Sequence, residues 1–203
     1  EKGVQIKVDD SSAMNVRLID CVGYIVPSAL GYIEGDQPRM VMTPWFEEPI
    51  PFNMAAEIGT RKVINEHSTI GLVITTDGSI SDIPRSEYEE AEERVIDELK
   101  AINKPFIILL NCMYPESPEA QELAQRLTEK YGIPVQPVNC LELNEEDIKQ
   151  ILSRILFEFP IKEICINFPR WINSLPLDHW LRAELTDTIK KSAANVRHIR
   201  DIR

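Results

Sequence analysis

The residues with the clearest chemical reading are Asp20 and Gly23, which close the run Val16-Arg17-Leu18-Ile19-Asp20-Cys21-Val22-Gly23. An apolar run that stops at a carboxylate and then reaches a glycine reads as a buried strand followed by a sharp turn. In open α/β sheets ligands sit beyond the carboxyl ends of the strands, so an aspartate there is placed to meet a metal-bound phosphate. The glycine lets a backbone N–H approach the same group. That is the role of a Walker B aspartate. A strand-end Asp in a tight turn has the same local sequence with no ligand at all, so the flanking pattern has to separate the two readings. Thr75, Thr76 and Asp77 end a second apolar run near the same crevice, and an Asx turn explains Asp77-Gly78 equally well. His67, His179 and His198 fall at helix starts or on helix surfaces, with no nucleophile to pair with, and read as structural.

The elements that must position these residues follow from periodicity. Val4, Ile6 and Val8 alternate with polar residues, Asp10 to Asn15 is turn-forming, and Val16 to Ile19 returns: a β-hairpin feeding Asp20. Tyr24 to Phe52, with five prolines at 27, 38, 44, 49 and 51, lacks periodicity and reads as a long functional loop packed through its aromatics. Asn53 to Glu66 reads as a helix with Glu57 and Arg61 paired at i,i+4. Thr69 to Thr75 is a central parallel strand. Ser86 and Glu89 suggest a capping box for a helix burying Tyr88, Ala91, Val95, Leu99 and Ile102, with the remaining acidic residues as a solvated face. Phe106 to Leu110 is the next buried strand. Ser117-Pro118 opens a helix that turns Leu123, Ala124 and Leu127 inward and ends at Tyr131-Gly132. Ile133 to Val138 suits an edge strand through Pro134 and Pro137, and Asn144 caps a helix carrying Ile148, Ile151, Leu152, Ile155 and Leu156. Alternating strands and helices mean a doubly wound α/β sheet with right-handed crossovers.

No glycine follows Gly132, and Phe159-Pro160 breaks the pattern. Ile164, Ile166 and Phe168 alternate as a strand, and a helix capped by Asp178 runs through Leu181, Leu185, Ile189, Ala193 and Val196. One strand and one helix cannot close a core. Residues 1–159 are therefore read as one domain and 160–203 as the start of a second.

A chain of 203 residues, 43% hydrophobic, can bury a full core, and a net charge of −11 argues against a general nucleic-acid surface or an anionic-membrane face. Cys21, Cys112, Cys140 and Cys165 show no C-x-x-C pair and read as buried free thiols in a reducing compartment. No run approaches the ~18 apolar residues of a membrane span, and no signal-peptide pattern opens the chain. The expectation is a cytoplasmic protein, and a piece of a longer one, since the chain begins at Glu1 and enters a strand almost at once.

The order hairpin, Asp-x-x-Gly, loop and helix, strand, helix, strand ending in Asn, helix, short strand, helix resembles the second half of a translation-factor-type P-loop GTPase domain. The stretches ITTDGSISDIPRSEY, EEAEERVIDELK, NKPFIILLN, EKYGIPV and HWLRAEL resemble the stage IV sporulation protein A family, morphogenetic ATPases of the bacterial endospore coat. The likeness runs through nearly all of the chain and is weakest from 27 to 45. It implies an N-terminally truncated P-loop NTPase sheet followed by the start of a second, middle domain. It also implies ATP hydrolysis with Mg²⁺ that drives self-assembly into polymers at the forespore surface of the mother cell. The partners it implies are other spore coat morphogenetic proteins and a small amphipathic membrane-anchoring peptide. On this resemblance the Walker A loop lies upstream of Asp20, and no G-x-x-x-x-G-K-[ST] occurs between Glu1 and Arg203.

The same resemblance implies that Asp20 holds Mg²⁺ through a water and that the Gly23 N–H meets the γ-phosphate. Asn111 ends the strand from which such folds contact the base, and Asn139-Cys140 sits where the last base loop would be; each also reads as a plain turn residue. Where a GTPase has Asn-Lys-x-Asp, this chain has Asn111-Cys112-Met113-Tyr114, so a preference for guanine is not expected; Lys at 112 and Asp at 114 would restore it. An interaction scaffold without turnover of its own is the alternative to an ATPase.

Overall fold

In the computed structural model the described residues are 3–7, 13–176 and 178–202. The chain divides into two compact units, Glu1–Ser153 and Arg154–Arg203.

The first unit is built on a three-stranded parallel sheet, β7 (Gly71–Thr76), β8 (Phe106–Asn111) and β9 (Val135–Val138), in the order β7-β8-β9. The run FIILLN is apolar and branched, as a strand covered on two faces requires, whereas in GLVITT Val73, Thr75 and Thr76 are buried and Leu72 and Ile74 are exposed. Phe106 to Leu110 are all buried at the centre. Gly71 opens β7 because a Cβ there would lie 2.9 Å from that of Phe106, so only glycine lets the two strands start side by side. Helices α2 (Arg85–Ala101), α3 (Pro118–Tyr131) and α4 (Glu145–Phe157) alternate with the strands. Ile96 and Leu99 of α2 and Ala124, Leu127 and Tyr131 of α3 join Val73, Phe106, Ile108 and Leu110 in one core.

Helix ends follow the sequence signals where the signal is local. The Ser117 side chain accepts from Ala120 N at 3.2 Å, and Gly132 closes α3 at φ 66°. Asn144 Oδ1 accepts from Glu146 N and Asp147 N, while Asp147 returns a bond from the Asn144 N–H. The capping box expected at Ser86 and Glu89 does not form, because α2 begins one residue before Ser86, behind Pro84, with no side-chain cap. Leu99 is buried and Val95 packs against the core as the spacing predicts, but Glu92 and Ile96 are buried beside them and Ile102 is exposed.

Upstream of β7 the structure departs from the hairpin-to-buried-strand reading. β1 (Val4–Lys7) and β2 (Ala13–Val16) pair antiparallel in a sheet of their own, and Val8 to Ser12 lie outside the described residues. Arg17 to Val22 is irregular and open to solvent, with Leu18 80% and Val22 63% exposed, so Asp20 does not end a buried strand. The physical reason is that an isolated strand gains nothing: among the described residues β7 is hydrogen-bonded along one edge only, and the 17–22 backbone joins no ladder. Two short hairpins, β3 (Ile33–Glu34) with β4 (Gln37–Pro38) and β5 (Met40–Val41) with β6 (Ile50–Pro51), give the long loop its order.

Helix α1 (Phe52–Lys62) runs into one π-helical turn, Val63–His67. Its open carbonyls are closed by Lys104, whose Nζ donates to Ile64 O and to Ser68 O, the latter at 2.6 Å. Glu57 pairs not with Arg61 but with Arg94 of α2, by two bonds at 3.1 and 2.9 Å. A bidentate guanidinium fork outcompetes an exposed i,i+4 contact.

The second unit has α5 (Arg170–Asn173), α6 (Trp180–Ala193) and a 3₁₀ turn at Ile199–Ile202. Ile164 and Ile166 are exposed and unpaired by any strand, so the expected strand there is not formed. α6 is capped by His179, whose Nδ1 accepts from Leu181 N at 3.2 Å, rather than by Asp178. Glu158 is buried against Arg200 at 2.8 Å; burial raises its carboxyl above the usual range despite that partner.

Candidate functional site

Asp20 and Gly23 line a cavity of about 630 Å³ whose far side is β7 and α2, with Leu72, Val73, Ile74, Thr75 and Glu92 in its wall. A second cavity of about 430 Å³, roofed by Trp45 over α1, shares Asp20 as a wall residue. The Asp20 carboxylate is exposed, and among the described residues no hydrogen bond or ion pair engages it. Gly23 sits at φ +80°, where a side chain would strain the backbone, and a Cβ there would meet nothing within 4 Å. Its N–H is donated to Thr60 Oγ1 at 3.0 Å.

From Gly23 the chain is strapped onto two helices. The Tyr24 ring lies 4.0 Å from the Arg94 guanidinium, and its hydroxyl donates to Glu98. Burial, and then the Glu98 carboxylate, push that phenol up to about 12. The Ser28 N–H and hydroxyl both donate to Glu87, at 2.7 and 2.8 Å.

The opposite wall is set by a buried polar group that helical periodicity does not reveal. Glu92 accepts from Arg85 Nη2 at 2.8 Å and from the Tyr131 hydroxyl at 2.7 Å, while Arg85 Nη1 donates to Thr75 Oγ1 at 2.9 Å. Burial works to raise the Glu92 carboxyl, but hydrogen bonds from Arg85, Thr75 and Tyr131 and the guanidinium charge outweigh it, so it lies below the usual range. The network ties the end of β7 to α2 and α3. Because the shift is downward, the pair stabilises the fold at every pH above the ordinary glutamate value of about 4.3, and that stabilisation fades as pH falls through the lower folded-state value. Glu92→Gln in the 203-residue chain is expected to cost about 3–5 kcal/mol at pH 7, chiefly by leaving the enclosed Arg85 guanidinium without a counter-charge. Urea unfolding at pH 7 and at pH 3 checks this, with the gap to wild type narrowing at the lower pH.

The other candidates form a separate cluster at the carboxyl ends of β8 and β9. Asn111 Oδ1 accepts from Cys140 N at 3.0 Å, Asn139 Oδ1 accepts from Leu141 N at 3.1 Å, and Asn139 Nδ2 donates to Met113 O at 3.4 Å. Met113 N donates to Ser79 Oγ, whose hydroxyl donates to Asp77 Oδ1 at 2.6 Å; Ser79 N donates to the same oxygen, so Asp77 forms the Asx turn. Asn111, Asn139 and Cys140 thus fasten two loops together, and none of them lines the cavity beside Asp20. Cys112 is fully buried and Cys140 partly so, and burial raises both thiols; Cys21 and Cys165, expected inside, are exposed. Each lies in an irregular segment that buries little.

These residues fit part of a magnesium–nucleotide site. Mg²⁺ in phosphate chemistry takes one or two carboxylates and fills its other positions with water and phosphate, which a lone open aspartate suits. Among the described residues no group of three or more His, Cys, Asp or Glu could hold a metal without such help. The cavity wall carries Asp20 and Glu92 but no basic residue, so a phosphate cradle is not supplied from it. Among the described residues no helix is long and apolar enough to cross a membrane.

A parallel sheet alternating with helices, with polar residues gathered at the carboxyl ends of its strands, places this chain among the α/β proteins and is consistent with a P-loop-like nucleotide-hydrolase domain. Residues 1–160 match the family described as "Stage IV sporulation protein A, ATPase domain", and residues 161–203 match "Stage IV sporulation protein A, middle domain". The chain belongs to the stage IV sporulation protein A family. It is 50% identical over 201 residues to the proteins of that name from Bacillus anthracis and Bacillus subtilis (strain 168), and 49% identical over 200 residues to that of Clostridioides difficile (strain 630). Those alignments cover 98–99% of this chain but 41% of each relative. No solved structure matches the chain.

Proposed function

We propose that this chain is part of an ATPase that hydrolyses ATP with Mg²⁺ to drive self-assembly of the basement layer of the bacterial spore coat. Residues 1–159 would be the C-terminal part of the ATPase domain and 160–203 the start of the middle domain. The observation that carries the reading is the Asp20–Gly23 stretch: an open carboxylate and a positive-φ glycine three residues apart, lining one cavity with β7. Asp20 orders the metal's water shell, and the Gly23 amide donates to a phosphate oxygen. Bound Mg²⁺ supplies neutralisation of the charge on the transferred phosphoryl group. Asn111, Asn139 and Cys140 position the loops that would face the base. Self-association, other coat morphogenetic proteins and a small amphipathic membrane-anchoring peptide are the proposed partners, at the forespore surface in the mother cell; nucleic acid is not among them.

A scaffold reading rests on a different observation. The loop from 24 to 52 presents Leu30, Ile33, Met42, Trp45 and Phe46 to solvent, a surface suited to contact rather than chemistry. Phosphate release and sedimentation, measured on the full-length protein and on the 203-residue chain, separate the two. With no Walker A sequence to cradle phosphates, the 203-residue chain is expected to show no ATP binding by calorimetry at micromolar concentration. Micromolar binding would mean that the phosphates need no cradle beyond these residues.

A further inference from the structure

Thr60 lies in the last turns of α1, is 1% exposed, and uses its hydroxyl oxygen to accept the Gly23 N–H, 37 residues earlier in the chain. An amide has one hydrogen. A phosphate oxygen that takes the Gly23 N–H in a linear bond must therefore displace Thr60 Oγ1. The neighbouring contacts decide how that exchange can happen. Tyr24 is held by Arg94 and Glu98, and Arg94 is held in turn by Glu57 of α1, so the strap beyond Gly23 is fixed on α2, which is itself tied to α1. Ser28 is fixed by Glu87. Gly23 itself has open space around its α-carbon and a φ that only glycine visits freely, so its peptide plane can turn while the strap stays in place.

We propose that Thr60 is a positioning residue that competes with the nucleotide phosphate for the Gly23 amide and so sets nucleotide affinity. This rests on the reading that the Gly23 N–H serves a phosphate. Thr60→Val keeps the side-chain shape and removes the acceptor, leaving the amide without a partner until a phosphate provides one. In the full-length protein, with Mg²⁺ and a non-hydrolysable ATP analogue, Thr60→Val is expected to lower the Kd roughly fivefold, the net value of one neutral hydrogen bond. Without the analogue, hydrogen exchange at the Gly23 amide should be faster in the variant than in wild type. Thr60→Ser, which keeps the hydroxyl, should restore the wild-type Kd and exchange rate. If the valine variant does not fold, Thr60→Ala removes the same acceptor and repeats the comparison. Unchanged or weaker affinity in a folded variant lacking the hydroxyl overturns the proposal. The underlying reading fails differently: in the valine variant, whose Gly23 amide has lost its only partner, the analogue would then leave exchange at Gly23 as fast as before.

Discussion

Asp20→Asn in the full-length protein is expected to lower ATP hydrolysis by about 10²- to 10³-fold, the usual loss when one preorganised electrostatic group is removed from a transition state. Asparagine keeps the size and one oxygen but loses the charge that, on the proposed function, would hold the metal's water shell. Stability should move by no more than about 0.5 kcal/mol, because the Asp20 side chain is exposed and has no protein partner among the described residues. That combination separates a chemical role from a structural one. A residue needed to pack or cap would lower the thermal midpoint together with the rate. Phosphate release and thermal unfolding on the same preparations check it, and wild-type hydrolysis by a folded variant would take Asp20 out of the mechanism.

The second large effect concerns the base. A site that hydrogen-bonds the guanine N1–H and amino group discriminates by about 10⁴-fold or more, and the group that does so in a GTPase is the aspartate of Asn-Lys-x-Asp. Here the corresponding residue is Tyr114, so those donors would be desolvated with nothing to satisfy them. Adenine, with no N1–H, suffers no such loss. In competition against labelled ATP on the full-length protein, unlabelled GTP is expected to displace the label no better than unlabelled ATP. Displacement by GTP at a hundredfold lower concentration would rule this out.

Restoring guanine selectivity by placing Lys at 112 and Asp at 114 looks straightforward in the sequence, but the structure changes the design. Cys112 is fully buried, its Sγ 3.7 Å from Val138 O, so a lysine there would place a charge inside the sheet end and destabilise it. Tyr114 is 70% exposed, so Tyr114→Asp alone is the variant that tests the base contact without disturbing the fold.

What the sequence determined on its own are the features whose causes are local. The apolar, branched runs at β7 and β8 are strands from their composition alone, and they pair in register, Val73 with Ile108 and Thr75 with Leu110. Ser117, Gly132 and Asn144 end their helices because each supplies, within three residues, the bond or backbone angle that the end requires. The tertiary structure alone decided whatever depends on a partner far along the chain. Val16 to Gly23 has the composition of a buried strand, but a strand exists only with a ladder to join, and composition cannot say whether one is there. Glu92 lies in an acidic helix and looks solvated; Arg85 of the same helix, with Thr75 of β7 and Tyr131 of α3 brought in by the fold, makes it an interior residue. Glu57 finds Arg94 rather than its helical neighbour, and Gly23 finds Thr60, each across 37 residues. Periodicity describes which face a residue occupies and carries no information about what the fold sets opposite it. The Asp20–Gly23 pair was therefore legible as a candidate, whereas the group that holds its amide was not.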